Sequence, residues 1–227
     1  MKPTSSNLIR WAGLSAMAAG IIFVVVQMIH PSSILSSVTT DAWANVHFLS
    51  IAMCLFGLYG ITGLYARQSD KAGWLGLVGY LLLSLWFAIT APFLFVEAFI
   101  EPLVATTAPK FVESLLALVN GSAGEVNLGL FATLYSLTAL LYMLGGVLFG
   151  VATFRARILP RWAGILLAVG APSAIAFSLL GFERLAAIPV GIALAWLGYA
   201  AWSGRQEKAT EPLPGKATLQ LGSTVAE

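Results

Sequence analysis

The sequence has little charge. Only 10% of its 227 residues are Asp, Glu, Lys or Arg, where a water-soluble domain carries about 25%. A chain so poor in charge cannot cover a surface of this size in water. Hydrophobic residues make up 59%, and mean hydropathy is +0.87. Most of the surface therefore faces something apolar, and the chain reads as an all-α integral membrane protein.

Other scarcities exclude whole classes of chemistry. There is one cysteine, so no disulfide framework forms within the chain and no Cys-based zinc spacing exists. Cys54 sits in an apolar run without a basic neighbour, which suits a small buried residue better than a reactive thiol. The net charge of +2 is spread along the chain, and no dense basic patch meets the requirement of a nucleic-acid partner. No Asp, Glu, Lys or Arg is expected at mid-depth in the membrane. Ion-coupled transporters place such a group or a broken helix there, so transport ranks behind other functions.

What is abundant is long apolar sequence. Six stretches are long enough to cross a bilayer, which takes about 20 helical residues. They lie at about 8–30, 43–65, 74–100, 127–154, 162–180 and 185–202. The first is too long for the apolar region of a signal peptide and reads as a retained helix. In a six-span arrangement, ten of the twelve basic residues fall on one side, and only Lys110 and Arg184 on the other. The positive-inside rule then puts both termini in the cytoplasm. Trp11, Trp74, Trp162 and Trp202 fall at that same interface, where an indole is favoured.

A short phrase recurs at this edge. "RWAG" begins at Arg10 and again at Arg161, and "KAGW" begins at Lys71. Each opens an odd-numbered helix. The even helices end alike, in "GLYARQ", "GVATFRAR" and "GYAAWSGRQ". The chain thus reads as three helical hairpins of one orientation. Duplication can explain the phrase, and so can shared interface chemistry: a basic anchor, a belt tryptophan and small residues that let a neighbour approach. Small residues elsewhere mark packing faces: Gly57, Gly60 and Gly63, then Gly146 and Gly150, then Ala187, Gly191 and Ala195. Pro92, Pro172 and Pro189 lie inside spans and are expected to kink them.

Two segments fall outside the hairpins. Between the third and fourth spans, 109–119 reads as a short amphipathic helix on the outer surface or over the mouth of the bundle. Thr106 or Thr107 can cap it and Gly121 can end it, with Phe111, Leu115, Leu118 and Val119 as its apolar face. The tail at 204–227 is polar and aperiodic and reads as a disordered cytoplasmic end.

Candidate site residues gather at the outer end. His30 ends the first span, with Gln27 one turn below. His47 lies just inside the second. Glu97 and Glu101 stand four residues apart near the outer end of the third, and so on one helical face. The only two histidines thus fall level with two carboxylates from another helix. Several readings are open. Two histidines and Glu97 can hold zinc, though no local metal motif is present. His30 and His47 can ligate a haem. His47 with Glu97 can act as an acid–base pair on an apolar substrate. The least demanding reading has no chemistry: carboxylates solvated or paired with Arg184, and histidines at helix ends. The expectation adopted is a ligand site of His30, His47, Glu97, Glu101 and Gln27 for a lipid or other apolar molecule, with no metal and no cofactor. A role as partner subunit of another membrane protein stands beside it, then a membrane enzyme, then a transporter.

The order "HFLSIAMCLFGLYGITGLYARQ", "GWLGLVGYLL", "VEAFIEPLVA" and "RARILPRWAG" resembles a type of uncharacterised bacterial six-helix integral membrane protein. The resemblance implies the fold and a bacterial cytoplasmic membrane. It assigns no activity and no residue role.

Overall fold

The computed structural model describes residues 4–204, so all but the first residue of the tail at 204–227 lies outside the described residues. The described residues form helices and no strand. Helix α1 spans Ser5–Ile29, α2 is one turn at Leu35–Val38, and α3 runs Asp41–Phe95. A π-helical turn at Val96–Ile100 leads into α4, Glu101–Val104. Then come α5 at Pro109–Val119, α6 at Leu130–Ala156, α7 at Arg161–Leu179 and α8 at Ala187–Ser203. Five helices are long and apolar enough to cross a membrane, with Asp41–Val104 counted as one. That is the pattern of a multi-pass membrane protein.

The expected loop between the second and third spans is not there. Helix continues through "ARQSDKA", most of whose residues are good helix formers, and one residue makes the break. Gly73 has φ 58° and ψ −164°, a conformation that only glycine adopts at little cost. The two arms of α3 lie side by side. Tyr65 stacks on Tyr80 at 4.7 Å between ring centroids, and Gly57 lies against the ring of Phe87.

Small residues fasten the arms to their neighbours. Gly60 and Gly63 press on Ala16 and Ala12 of α1. Gly13 and Gly198 face each other backbone to backbone between α1 and α8, as do Gly20 and Gly191 seven residues away on each helix. Gly150 and Gly164 do the same between α6 and α7. Each is a place where a Cβ would collide with a neighbouring helix, at its main chain or, for Gly63, at the Cβ of Ala12, and so where helices approach closely without a hydrophobic drive from lipid. The two "RWAG" phrases have one construction. Trp11 and Trp162 point outward at 64% exposure, the alanines are buried, and the glycines make the close contacts. The phrase at Lys71 differs, since its glycine is the hinge. With α3 packed on α1 and α6, the helices close a ring back to α8.

One proline expectation changes. Pro172 lies inside α7 and Pro92 inside α3. Pro189 lies in the first turn of α8, where its missing N–H has no helical partner to lose, so it kinks nothing.

A second small core closes one end. Val38, Trp43, Ala105, Val112 and Leu116 pack together, so α2, α5 and the start of α3 form a cap. Gly121, at φ 71°, ends α5 as a Schellman turn: Ser122 N donates to Ala117 O at 2.8 Å and Gly121 N to Leu118 O at 3.1 Å. Asn120 Nδ2 donates to Ser33 O at 3.1 Å and ties the end of α5 to the segment between α1 and α2. Neither threonine caps α5; Ala108 holds the N-cap without a side-chain bond. The buried face is also turned from the expected one, to Val112, Ser114, Leu115 and Leu116, with Phe111 exposed. Ser114 makes this possible. Its hydroxyl donates to Lys110 O at 2.7 Å and accepts from Val126 N at 2.9 Å, so it is buried fully bonded.

Candidate functional site

Beneath this cap lies a cavity of about 290 Å³ between α1, both arms of α3 and α6. Its lining follows helical spacing. Phe23, Gln27 and His30 come from α1 and its end; Trp43, His47 and Ser50 from the first arm of α3. From the second arm come Trp86, Thr90, Phe93 and, in the π turn, Glu97. Four of the five candidate residues (Gln27, His30, His47 and Glu97) therefore line one cavity. Polar groups gather toward its capped end, and aromatic rings wall the rest.

His47 is 1% exposed, and both its ring nitrogens are engaged. Nδ1 lies 2.7 Å from Trp43 O, and a carbonyl can only accept, so Nδ1 carries a proton. Nε2 lies 3.1 Å from Glu97 Oε2, so the His47–Glu97 pair shares one further proton. His30 Nδ1 likewise donates to Pro31 O at 2.7 Å, which leaves its Nε2 as an acceptor in the neutral ring. The two imidazoles meet edge to face, 5.2 Å between centroids.

Trp43 organises the arrangement. It is 2% exposed, tilts against the His47 ring at 4.4 Å, and its Nε1 donates to the main-chain carbonyl of Glu97 at 2.8 Å. The π turn frees that carbonyl from a regular ladder. Pro92 and Pro102 bracket the turn, and each withholds one N–H from the helix. Such turns often occur at functional sites.

The same turn puts only one of the two carboxylates on the larger cavity. Four residues would put Glu97 and Glu101 on one face of an α-helix, but bonds of i→i+5 type widen the turn. Glu97 faces the cavity; Glu101 does not line it. Glu101 is 1% exposed, and its Oε2 has no hydrogen-bond partner among the described residues. Glu97, Glu101 and Tyr135 share a second, much smaller pocket of about 10 Å³, roughly the space of one water molecule. The other expected partners pair elsewhere. Lys110 Nζ meets Glu125 Oε2 at 2.8 Å on the surface, and neither carboxylate forms an ion pair with Arg184.

The geometry gives no support to the metal and haem readings. Among the described residues no three His, Cys, Asp or Glu side chains are close enough to hold a metal ion. Imidazoles that touch edge to face leave no gap for a macrocycle between them. Cys54 is buried at 1% exposure.

Sequence reasoning passed over Trp43, Trp86, Thr90 and Tyr135 as site residues. A signal was present for three of them. Trp43 precedes His47 by one turn, and Trp86 and Thr90 continue the stripe of Glu97 downward at spacings of four and seven. Tyr135 carries no such mark, because α6 could have presented any face. Comparison with protein-family models, with curated proteins and with solved structures finds no match to this chain.

Proposed function

We propose that the protein is a six-crossing bundle of the bacterial cytoplasmic membrane that binds a small amphipathic ligand at its outer end. The arms of α3 on either side of Gly73 count as two crossings, which makes three hairpins. The lopsided basic residues favour cytoplasmic termini and so set the cavity beneath the outer surface. One observation carries the ligand reading: a single cavity joins aromatic walls to a polar end bearing His30, His47, Glu97 and Gln27. Pockets for small molecules begin at about 300 Å³. A cavity of about 290 Å³ therefore suits a small molecule, or the head of a lipid whose tail lies outside.

A second reading draws on the His47–Glu97 geometry. A histidine held by the Trp43 carbonyl and sharing a proton with a carboxylate can pass that proton to a bound molecule. This supports an acid–base enzyme acting on an apolar substrate in the same cavity.

Native mass spectrometry of the full chain released from mild detergent tests both. The expected spectrum shows a small-molecule adduct on the wild type, lost in Thr90→Phe, which fills the cavity from its wall. A wild-type spectrum without adduct overturns the ligand reading. Recovery of the ligand chemically changed after incubation favours the enzyme.

A further inference from the structure

We propose that the polar head of the ligand is a hydrogen-bond donor without negative charge, an alcohol or an amine, and that anionic heads are refused. The inference rests on the ligand-binding reading above and narrows it.

The polar groups that line the cavity decide which head it can hold. His30 spends its Nδ1 proton on Pro31 O, so the neutral ring offers only the Nε2 lone pair. His47 spends its Nδ1 proton on Trp43 O and shares the other with Glu97 Oε2. That pair is neutral as a unit and leaves the second oxygen of Glu97 as an acceptor. Ser50 donates to Val46 O at 2.8 Å and Thr138 to Tyr135 O at 2.6 Å, so these hydroxyls too have only lone pairs to offer. Trp43 Nε1 is taken by Glu97 O. The donors of His30, His47, Trp43, Ser50 and Thr138 are thus spent on main-chain carbonyls and, for the second His47 nitrogen, on Glu97.

Five groups that line the cavity remain uncommitted among the described residues: Thr90 Oγ1, the Gln27 amide and the Ser33 and Tyr135 hydroxyls, each able to donate or accept, and the donor-only Trp86 Nε1. None of them carries the positive charge that would offset an anionic head. No Lys or Arg lines the cavity. An anionic head would lose its water, find no cation, and face a carboxylate oxygen, a desolvation with nothing to offset it. A hydroxyl or amine meets His30 Nε2 and Glu97 directly. An ammonium also gains from the faces of Phe23, Trp43 and Trp86, which attract cations.

A matched series on one apolar body tests the claim: 2-naphthylmethanol, 2-naphthylmethylamine and 2-naphthoate, titrated calorimetrically into the wild-type chain in nanodiscs at pH 7 against empty nanodiscs. The expected result is at least about tenfold tighter binding of the alcohol and the amine than of the carboxylate, the size of one unmet buried polar contact. In Glu97→Gln the preference for the amine should shrink. Equal or tighter binding of the carboxylate to the wild type overturns the inference while the ligand site survives. No binding of any compound above the empty nanodisc overturns both. The wild-type series decides the matter even if the variant does not fold.

Discussion

Trp43 and Glu97 are 54 residues apart in sequence, yet the Trp43 indole N–H donates to the Glu97 main-chain carbonyl at 2.8 Å. One turn after Trp43, His47 meets the carboxylate of the same glutamate at 3.1 Å. Two successive side chains of one arm thus hold both the backbone and the side chain of one residue on the other.

Trp43→Phe keeps an aromatic ring in the small core but leaves the Glu97 carbonyl unpaired. It should cost about 1–3 kcal/mol, the penalty of an unsatisfied buried acceptor. The check is thermal unfolding in mild detergent, and an unchanged Tm would count against Trp43 as the clamp on the π turn.

His47 and Glu97 should be energetically coupled. A cycle of His47→Gln, Glu97→Gln and the double variant should show a coupling of about 1.5–3 kcal/mol, as for a hydrogen bond involving charge. Additive effects on unfolding would mean that the pair contributes no mutual stabilisation.

Glu101 should behave oppositely. Its Oε2 is buried without a partner. Replacing the carboxyl by an apolar side chain of similar length removes a desolvation cost, so Glu101→Met should be neutral or stabilising by about 1 kcal/mol or more. A large loss of stability in the same unfolding assay would reveal a partner for Glu101 that this geometry lacks.

The glycines divide by mechanism. A Cβ on Gly198 would lie 2.5 Å from Gly13 O, so Gly198→Val should part α1 from α8 and cost about 3 kcal/mol or more, as severe overpacking does. A Cβ on Gly73 meets nothing within 4 Å, so Gly73→Ala suffers only its backbone conformation, about 1–3 kcal/mol. Comparable losses of Tm for the two would contradict this ranking.

The proposed topology predicts sidedness. With Cys54 replaced by alanine, a cysteine at the exposed Ser69 should react with a membrane-impermeant maleimide only after the cell is opened. A cysteine at the exposed Ser122 should react in intact cells. Labelling of both positions from the same side would overturn the six-crossing, ends-inside arrangement.

The amino-acid sequence by itself determined that the chain is helical and apolar enough for a membrane. That follows from composition and run length, which are local quantities. The close glycine approaches were also legible, because only small residues let backbones meet. The depth match of His30, His47 and Glu97 could be read from their distances to the span ends, since rise per residue is constant. Their convergence on one cavity could not, because it depends on how α1 and the arms of α3 are rotated about their own axes. Nor could the fate of Glu101. A regular helix would set it on the face of Glu97, and the π turn leaves it out of the larger cavity that Glu97 lines. Only the tertiary structure decided that, by giving the Glu97 carbonyl to Trp43 rather than to its own helix.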